Sequence, residues 1–232
     1  GDPSEDTQVC KENGKNDFIR GLKAGIPIAL GYLPVSFTFG LIAVNSGIPA
    51  LTAIIISLTN LTSAGQFAGI GMIAVNAPLF EIAITTFVIN IRYSLMSLSL
   101  SQRISSKMPT LKRAIMAFGI TDEIFAISSL EKKRVTFPYM MGLIGLPYYG
   151  WASGTILGAL TTSFLPESVQ SAMGVALYGM FIALVVPSAK HSRAVLAVAL
   201  IAVAISSALW WIPSLNRVSV GWAIIIATVI SS

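Results

Sequence analysis

Charge is nearly absent from most of this sequence. Between Ala24 and Ser101 only Glu81 and Arg92 carry it, between Pro138 and Ala189 only Glu167, and between Ala194 and Ser232 only Arg217. Asp, Glu, Lys and Arg together make up 11% of the chain, against about 25% in soluble domains. A soluble core cannot be built from apolar blocks of this length. Each block suits a membrane span, which needs about 20 apolar residues. The chain has one cysteine, Cys10, which excludes an intrachain disulfide and a cysteine metal site. It has one histidine, His191, set among Lys190 and Arg193 after Pro187, where a polar loop residue is expected. "GWASG" at 150–154 has the look of a serine nucleophile setting, but catalysis needs that histidine within reach, so no enzyme is expected. HExxH, CxxC, Walker and dinucleotide-binding patterns are missing, so no cofactor and no metal are expected. The net charge of +5 does not point to nucleic acid, because the basic residues fall in short connections between apolar segments, as membrane topology requires.

What remains is an all-α polytopic membrane protein, with mean hydropathy +0.78. Residues 1–17 are polar and mixed in charge and lack the apolar core of a signal peptide; they are expected to form a flexible tail. Residues 18–232 read as one transmembrane domain. Eight apolar segments span roughly 18–45, 49–76, 78–101, 114–130, 138–162, 166–187, 194–213 and 217–232. The basic connections are 102–113, 131–137 and 188–193. If all eight segments cross, the first of these lies outside, against the positive-inside rule. If 49–76 and 114–130 instead enter and leave on one side, every basic connection becomes cytoplasmic and six segments cross. Both readings stay open. The second has local support: 49–76 is interrupted by the polar stretch Asn60–Gln66, and 114–130 contains Thr121, Asp122 and Glu123. Irregular or polar backbone at membrane depth must face protein or a wet cavity.

Proline and glycine recur as Pro34, Gly40, Pro49 and again as Pro147, Gly158, Pro166, a loose hint of an inverted repeat with broken helices, the pattern that marks transporter sites. Gly150, Gly154 and Gly158, at four-residue spacing, suit close helix packing.

Three stretches carry the candidate site. In "LTSAGQFAGIG", residues 61–71, the glycines permit an unwound backbone, and Asn60 and Gln66 offer donors and acceptors suited to a zwitterion. The break is expected at Gly65, with Phe67, Ile70 and Phe37 as an apolar wall. In "VINIRYSLMSLSL", residues 88–100, Asn90 and Arg92 lie too deep to snorkel easily, so Arg92 needs a partner and Asp122 is the natural one. In "FGITDEIFAIS", residues 118–128, Asp122 and Glu123 point about 100° apart on a helix, so one is expected to face a cavity and the other the cytoplasmic boundary. Asp122 is expected to weigh more in transport. Each stretch also has a plain structural reading: helix packing, a salt bridge, or capping by Thr121 or Asp122.

The ordered stretches "FIRGLKAGIPIALGYLPVSFTFGLIAVNSG", "TSAGQF", "NIRYSLMSLSL", "FGITDEIFA" and "GLPYYGWASGTILGAL" resemble the AzlC family of bacterial branched-chain amino acid exporters. The resemblance runs from about Phe18 to Pro187. The chain departs from it at Thr62–Phe67, where the family usually shows A-G-A-S-Q-F, and at Arg92-Tyr93, where the family often has R-H. The resemblance implies a multi-pass permease of the bacterial plasma membrane that exports valine, leucine, isoleucine or similar amino acids. It also implies a separately encoded, small hydrophobic AzlD-type membrane subunit. Proton coupling through Asp122 and Glu123 is an expectation. A channel for a small neutral solute and a non-transporting scaffold subunit are the competing readings.

Overall fold

A computed structural model describes residues 3–106, 108–166, 192–211 and 218–231, with scattered positions between 168 and 190; side chains are described from Gly14 onward. The described residues form helices and no strand. They are α1 (Pro3–Asn45), α2 (Ala50–Thr59), α3 (Ser63–Ala74), α4 (Leu79–Ser101), α5 (Thr110–Phe118), α6 (Asp122–Leu130), α7 (Phe137–Thr161), α8 (Arg193–Trp211) and α9 (Val220–Ser231). The segment expected at 166–187 lies largely outside the described residues, as does His191. α1 begins at Pro3 and continues through the polar residues 3–17; no proline interrupts it between Pro3 and Phe18.

Among the described residues three helices are long and apolar enough by composition to cross a membrane: Gly14–Asn45, Leu79–Ser101 and Arg193–Trp211. α7 has the length, at 25 residues, but many glycines. The reason lies in its packing. α7 runs parallel to α1 along nearly its whole length, and glycines bring the two backbones together. A Cβ on Gly142 would lie 2.8 Å from the Leu22 nitrogen, and one on Gly158 would lie 2.8 Å from the Phe37 carbonyl carbon. Gly150 faces Ala29, and Gly154 faces Ser36. Backbones this close gain dispersion contacts that bulkier side chains would prevent. The packing reading of Gly150, Gly154 and Gly158 therefore holds.

Around this pair the chain makes two hairpins. α2 starts beside the Asn45 end of α1, where Ala53 packs with Ala43 and Ile48. It descends along α7, bonding Ser57 to Thr155 at 2.7 Å and receiving the Tyr148 hydroxyl on the Leu58 carbonyl at 2.8 Å. After Asn60–Thr62, α3 climbs back. Phe67 stacks edge-on to Phe39, and Ile70 rejoins the cluster of Phe39, Ala43 and Ile48. Both ends of this hairpin thus lie at one end of α1. α5 starts at the other end, with Lys112 over the Phe137 ring, and rises until Phe118 meets Tyr148. α6 returns to the basic end, where Arg103 donates to the Ser128, Ser129 and Glu131 carbonyls and Arg20 approaches Glu131 at 3.7 Å. The cation at these exposed carbonyls complements the negative end of α6. Basic residues gathered at one end are what the positive-inside rule associates with the cytoplasmic side.

Segments 49–76 and 114–130 therefore form hairpins that open toward opposite ends of α1. α1 with α2–α3, and α4 with α5–α6, repeat one plan in opposite directions: a crossing helix, then a hairpin from the far side. The inverted relation is not between the Pro34 and Pro147 regions, since α1 and α7 run parallel. At the outer face, buried Glu81 accepts hydrogen bonds from the Ser219 hydroxyl and the Gly221 amide, tying the start of α9 to α4. A carboxylate at a helix N-terminus is favourable for the same dipole reason.

Candidate functional site

The two hairpin tips meet beside Tyr32 of α1 and Trp151 of α7. Each tip ends in a threonine with extended backbone that caps the helix returning to the surface. Thr62 Oγ1 accepts from the Gly65 amide and Thr121 Oγ1 from the Ile124 amide, both at 3.4 Å. A threonine at this position takes up one of the amides a helix start leaves unbonded. A tyrosine then reaches each cap. The Tyr93 hydroxyl donates to Thr62 at 3.3 Å, and the Tyr32 hydroxyl lies 2.7 Å from Thr121. Thr62 also donates to the Asn90 side-chain oxygen at 2.7 Å.

Between the tips lies a cavity of about 560 Å³, within the range of small-molecule sites. Its wall is apolar on one side, with Ile28, Val35, Leu61 and Trp151. Its polar side is made by Ser63 of the first tip, Arg92 and Tyr93 of α4, and Thr121, Asp122 and Glu123 of the second tip. Arg92 Nη1 sits 2.8 Å from Asp122 Oδ2 and 3.0 Å from Oδ1, so the expected partnership is present. Glu123 takes the Tyr32 hydroxyl at 2.6 Å. Both acidic side chains line the cavity. The expectation that one faces the cytoplasmic boundary is corrected: the two residues open α6, so the cavity surrounds the end of the helix and admits side chains from both.

The other predicted residues are placed differently. The backbone break falls at Asn60–Thr62, before Gly65, which already belongs to the first turn of α3. A Cβ at Gly65 would lie 2.9 Å from the Thr62 methyl and 3.0 Å from the Asn90 amide nitrogen, so this glycine serves close packing at the cap. Gln66 is 1% exposed. Its amide nitrogen donates to the Asn60 carbonyl, and its oxygen accepts from the Trp151 indole at 3.2 Å. It braces the first tip from behind. Phe67 and Ile70 pack toward the outer cluster, and Phe37 lies against Gly158. Pro27, Ile28, Val35, Leu61 and Trp151 form the wall in their place. Tyr32 and Trp151 escape sequence reasoning; the available signal is an aromatic residue with a polar tip inside an otherwise apolar helix. Among the described residues no group of His, Cys, Asp and Glu is arranged to hold a metal.

A family-wide sequence profile described as AzlC protein matches residues 27–165, which includes α2–α7 and the described cavity. The chain is 30% identical over 187 residues to the inner membrane protein YgaZ of Escherichia coli, covering 78% of this chain and 76% of that one. It is 36% identical over 183 residues to an uncharacterized membrane protein of Archaeoglobus fulgidus, covering 76% and 79%. An uncharacterized membrane protein of Helicobacter pylori is 28% identical over 204 residues, covering 82% and 87%. No solved structure matches the chain. The profile spans more than half of the sequence and takes in both hairpins and the residues between their tips: this multi-pass membrane protein belongs to the AzlC protein family.

Proposed function

We propose that the chain is a secondary transporter that exports branched-chain or similar small apolar amino acids across the cytoplasmic membrane. The observation that carries this reading is the cavity between two oppositely inserted hairpin tips. Half-helices ending at membrane depth are the usual equipment for holding a small polar group without water. The cavity joins an apolar wall, suited to a branched side chain, to a compact polar side with Arg92, Asp122 and Glu123. A volume of about 560 Å³ accommodates such a molecule with its water. The inverted plan of the two hairpins supports alternating access, because each tip lines the cavity and arrives from the opposite direction to the other.

A small hydrophobic subunit of the AzlD type belongs to the same proposal. α8 has no buried residue among those described, which leaves an apolar surface that lipid or such a subunit would cover. Recovery of a tagged chain with full export activity and no small partner would remove the subunit from the proposal.

The testing experiment uses proteoliposomes with the chain alone and with its co-purified partners, loaded with labelled leucine or valine. Accumulation against a gradient when a pH difference is imposed is the expected result. Flux that only follows the solute gradient would identify a facilitator. No flux in either preparation would leave the scaffold reading in place of the transporter.

A further inference from the structure

We infer that Glu123 receives the positively charged amino group of the transported molecule, while Asp122 serves to hold Arg92. The inference rests on the transport reading of the cavity. Among the described residues the cavity is lined by three charged side chains, Arg92, Asp122 and Glu123. One cation and two anions give a net charge of −1. The single cation is already committed: Arg92 touches both Asp122 oxygens at 2.8 and 3.0 Å, and its Nη2 points to the Tyr93 hydroxyl at 3.3 Å. No ion pair within 4.0 Å joins Glu123 to a cation among the described residues.

Glu123 instead takes the Tyr32 hydroxyl at 2.6 Å. A neutral donor stabilises a carboxylate without cancelling its charge, and it leaves most of the four lone-pair positions open. Every surrounding element agrees. α1 brings Tyr32, the first hairpin brings Ser63 and Ala64, and α7 brings Trp151; none adds a positive charge. The two tips repeat one cap, but Ser63 and Ala64 stand in the first where Asp122 and Glu123 stand in the second. The excess negative charge therefore sits at one end of an apolar-walled space. An ammonium group has three donors and one charge, and a charge-assisted bond in such surroundings is stronger than a neutral one. An apolar body carrying a primary amine matches the space in both respects.

The test measures binding to the purified full chain, with its partners, of leucine, 3-methylbutan-1-amine and 4-methylpentanoate. The last lacks the amine and keeps the branched chain. The parent protein is expected to prefer both amines over 4-methylpentanoate. Glu123→Gln should reduce that preference at least tenfold with an unchanged melting temperature in the absence of ligand. Glu123→Asp should restore part of it. The paired replacement Arg92→Gln with Asp122→Asn removes the self-neutralised pair and should lower the preference far less than Glu123→Gln does. A preference retained by Glu123→Gln overturns the inference, as does its loss in the paired variant alone. Loss of only the pH dependence in Glu123→Gln would make the group a proton carrier, which also overturns it. Failure of the parent to bind either amine overturns it as well. Binding of 3-methylbutan-1-amine without leucine would reject amino acid export and leave Glu123 in place; leucine binding indifferent to Glu123 would do the reverse.

Discussion

Tyr32 and Tyr93 occupy matching positions on helices that run in opposite directions. Each hydroxyl lies within hydrogen-bond distance of a threonine that caps a hairpin tip, Thr121 at 2.7 Å for Tyr32 and Thr62 at 3.3 Å for Tyr93. Replacing either tyrosine by phenylalanine removes one latch and leaves the packing volume nearly unchanged. Tyr32→Phe should speed amide exchange at Ile124 and leave Gly65 as it was; Tyr93→Phe should do the opposite. Each loss corresponds to about 1 kcal/mol of local opening free energy. Exchange that quickens at both tips in either variant would show that the tips do not open separately.

Asp122→Asn alone should depress export more than the paired change of Arg92→Gln with Asp122→Asn. The single change frees Arg92, the one cation among the described cavity residues, to occupy Glu123. The pair as such contributes little to stability, because its two side chains are 43% and 41% exposed; about 1 kcal/mol is expected for ion pairs of that kind. Membrane levels should therefore stay near those of the parent. Equal export by the single and paired variants would contradict this.

Gln66→Leu should act first on stability. It leaves the Trp151 indole and the Asn60 carbonyl without their partner, at a cost of about 1–3 kcal/mol for buried groups. A fall in melting temperature is the expected reading. Because Gln66 and Trp151 share one bond, adding Trp151→Phe should cost less than its effect in the parent. Strict additivity would show that the bond is not formed.

Gly142→Ala should disrupt the α1–α7 contact, whereas Gly145→Ala should be tolerated. A Cβ at Gly142 meets the backbone of Phe18, Gly21 and Leu22, which cannot move without separating the helices; at Gly145 nothing lies within 4 Å. Overpacking of this kind costs about 1–3 kcal/mol. Thermal unfolding in detergent compares the two variants directly, and equal midpoints would refute the close approach.

In a Cys10→Ser background, single cysteines at Asn76 and Ser105 should label from opposite sides of the membrane. Ser105 should share a side with Lys132, and Asn76 with Ser46. Any other partition contradicts the two-hairpin arrangement.

Much of this was legible in the sequence because membrane depth constrains the backbone so strongly. The uneven placement of Arg103, Lys107, Lys112 and Arg113 was enough to suggest that 49–76 and 114–130 turn back. The Arg92–Asp122 pair followed from the difficulty of leaving either charge alone in an apolar segment. Side-chain direction at the tips was not legible. Thr62 and Thr121 end their hairpins through capping, so the break fell ahead of the glycine that seemed to invite it. Gln66 looked like substrate equipment because its partner, Trp151, is 85 residues away. Helix periodicity sets Asp122 and Glu123 about 100° apart, but it describes residues inside a helix better than these two at its mouth, which both line the cavity.

The hairpins also shape the electric field. α3 has 12 residues and α6 has 9, so each returning half-helix is only about 14–18 Å long at 1.5 Å per residue. Water held between the tips would divide the membrane voltage into two short drops, one across each hairpin. A proton reaching the cavity from either solution would then cross roughly half the field, about 1 kcal/mol per 100 mV. A zwitterion making the same journey would feel almost none of it. The membrane potential would thus drive whatever charge accompanies the amino acid, and leave the amino acid itself to its own concentration.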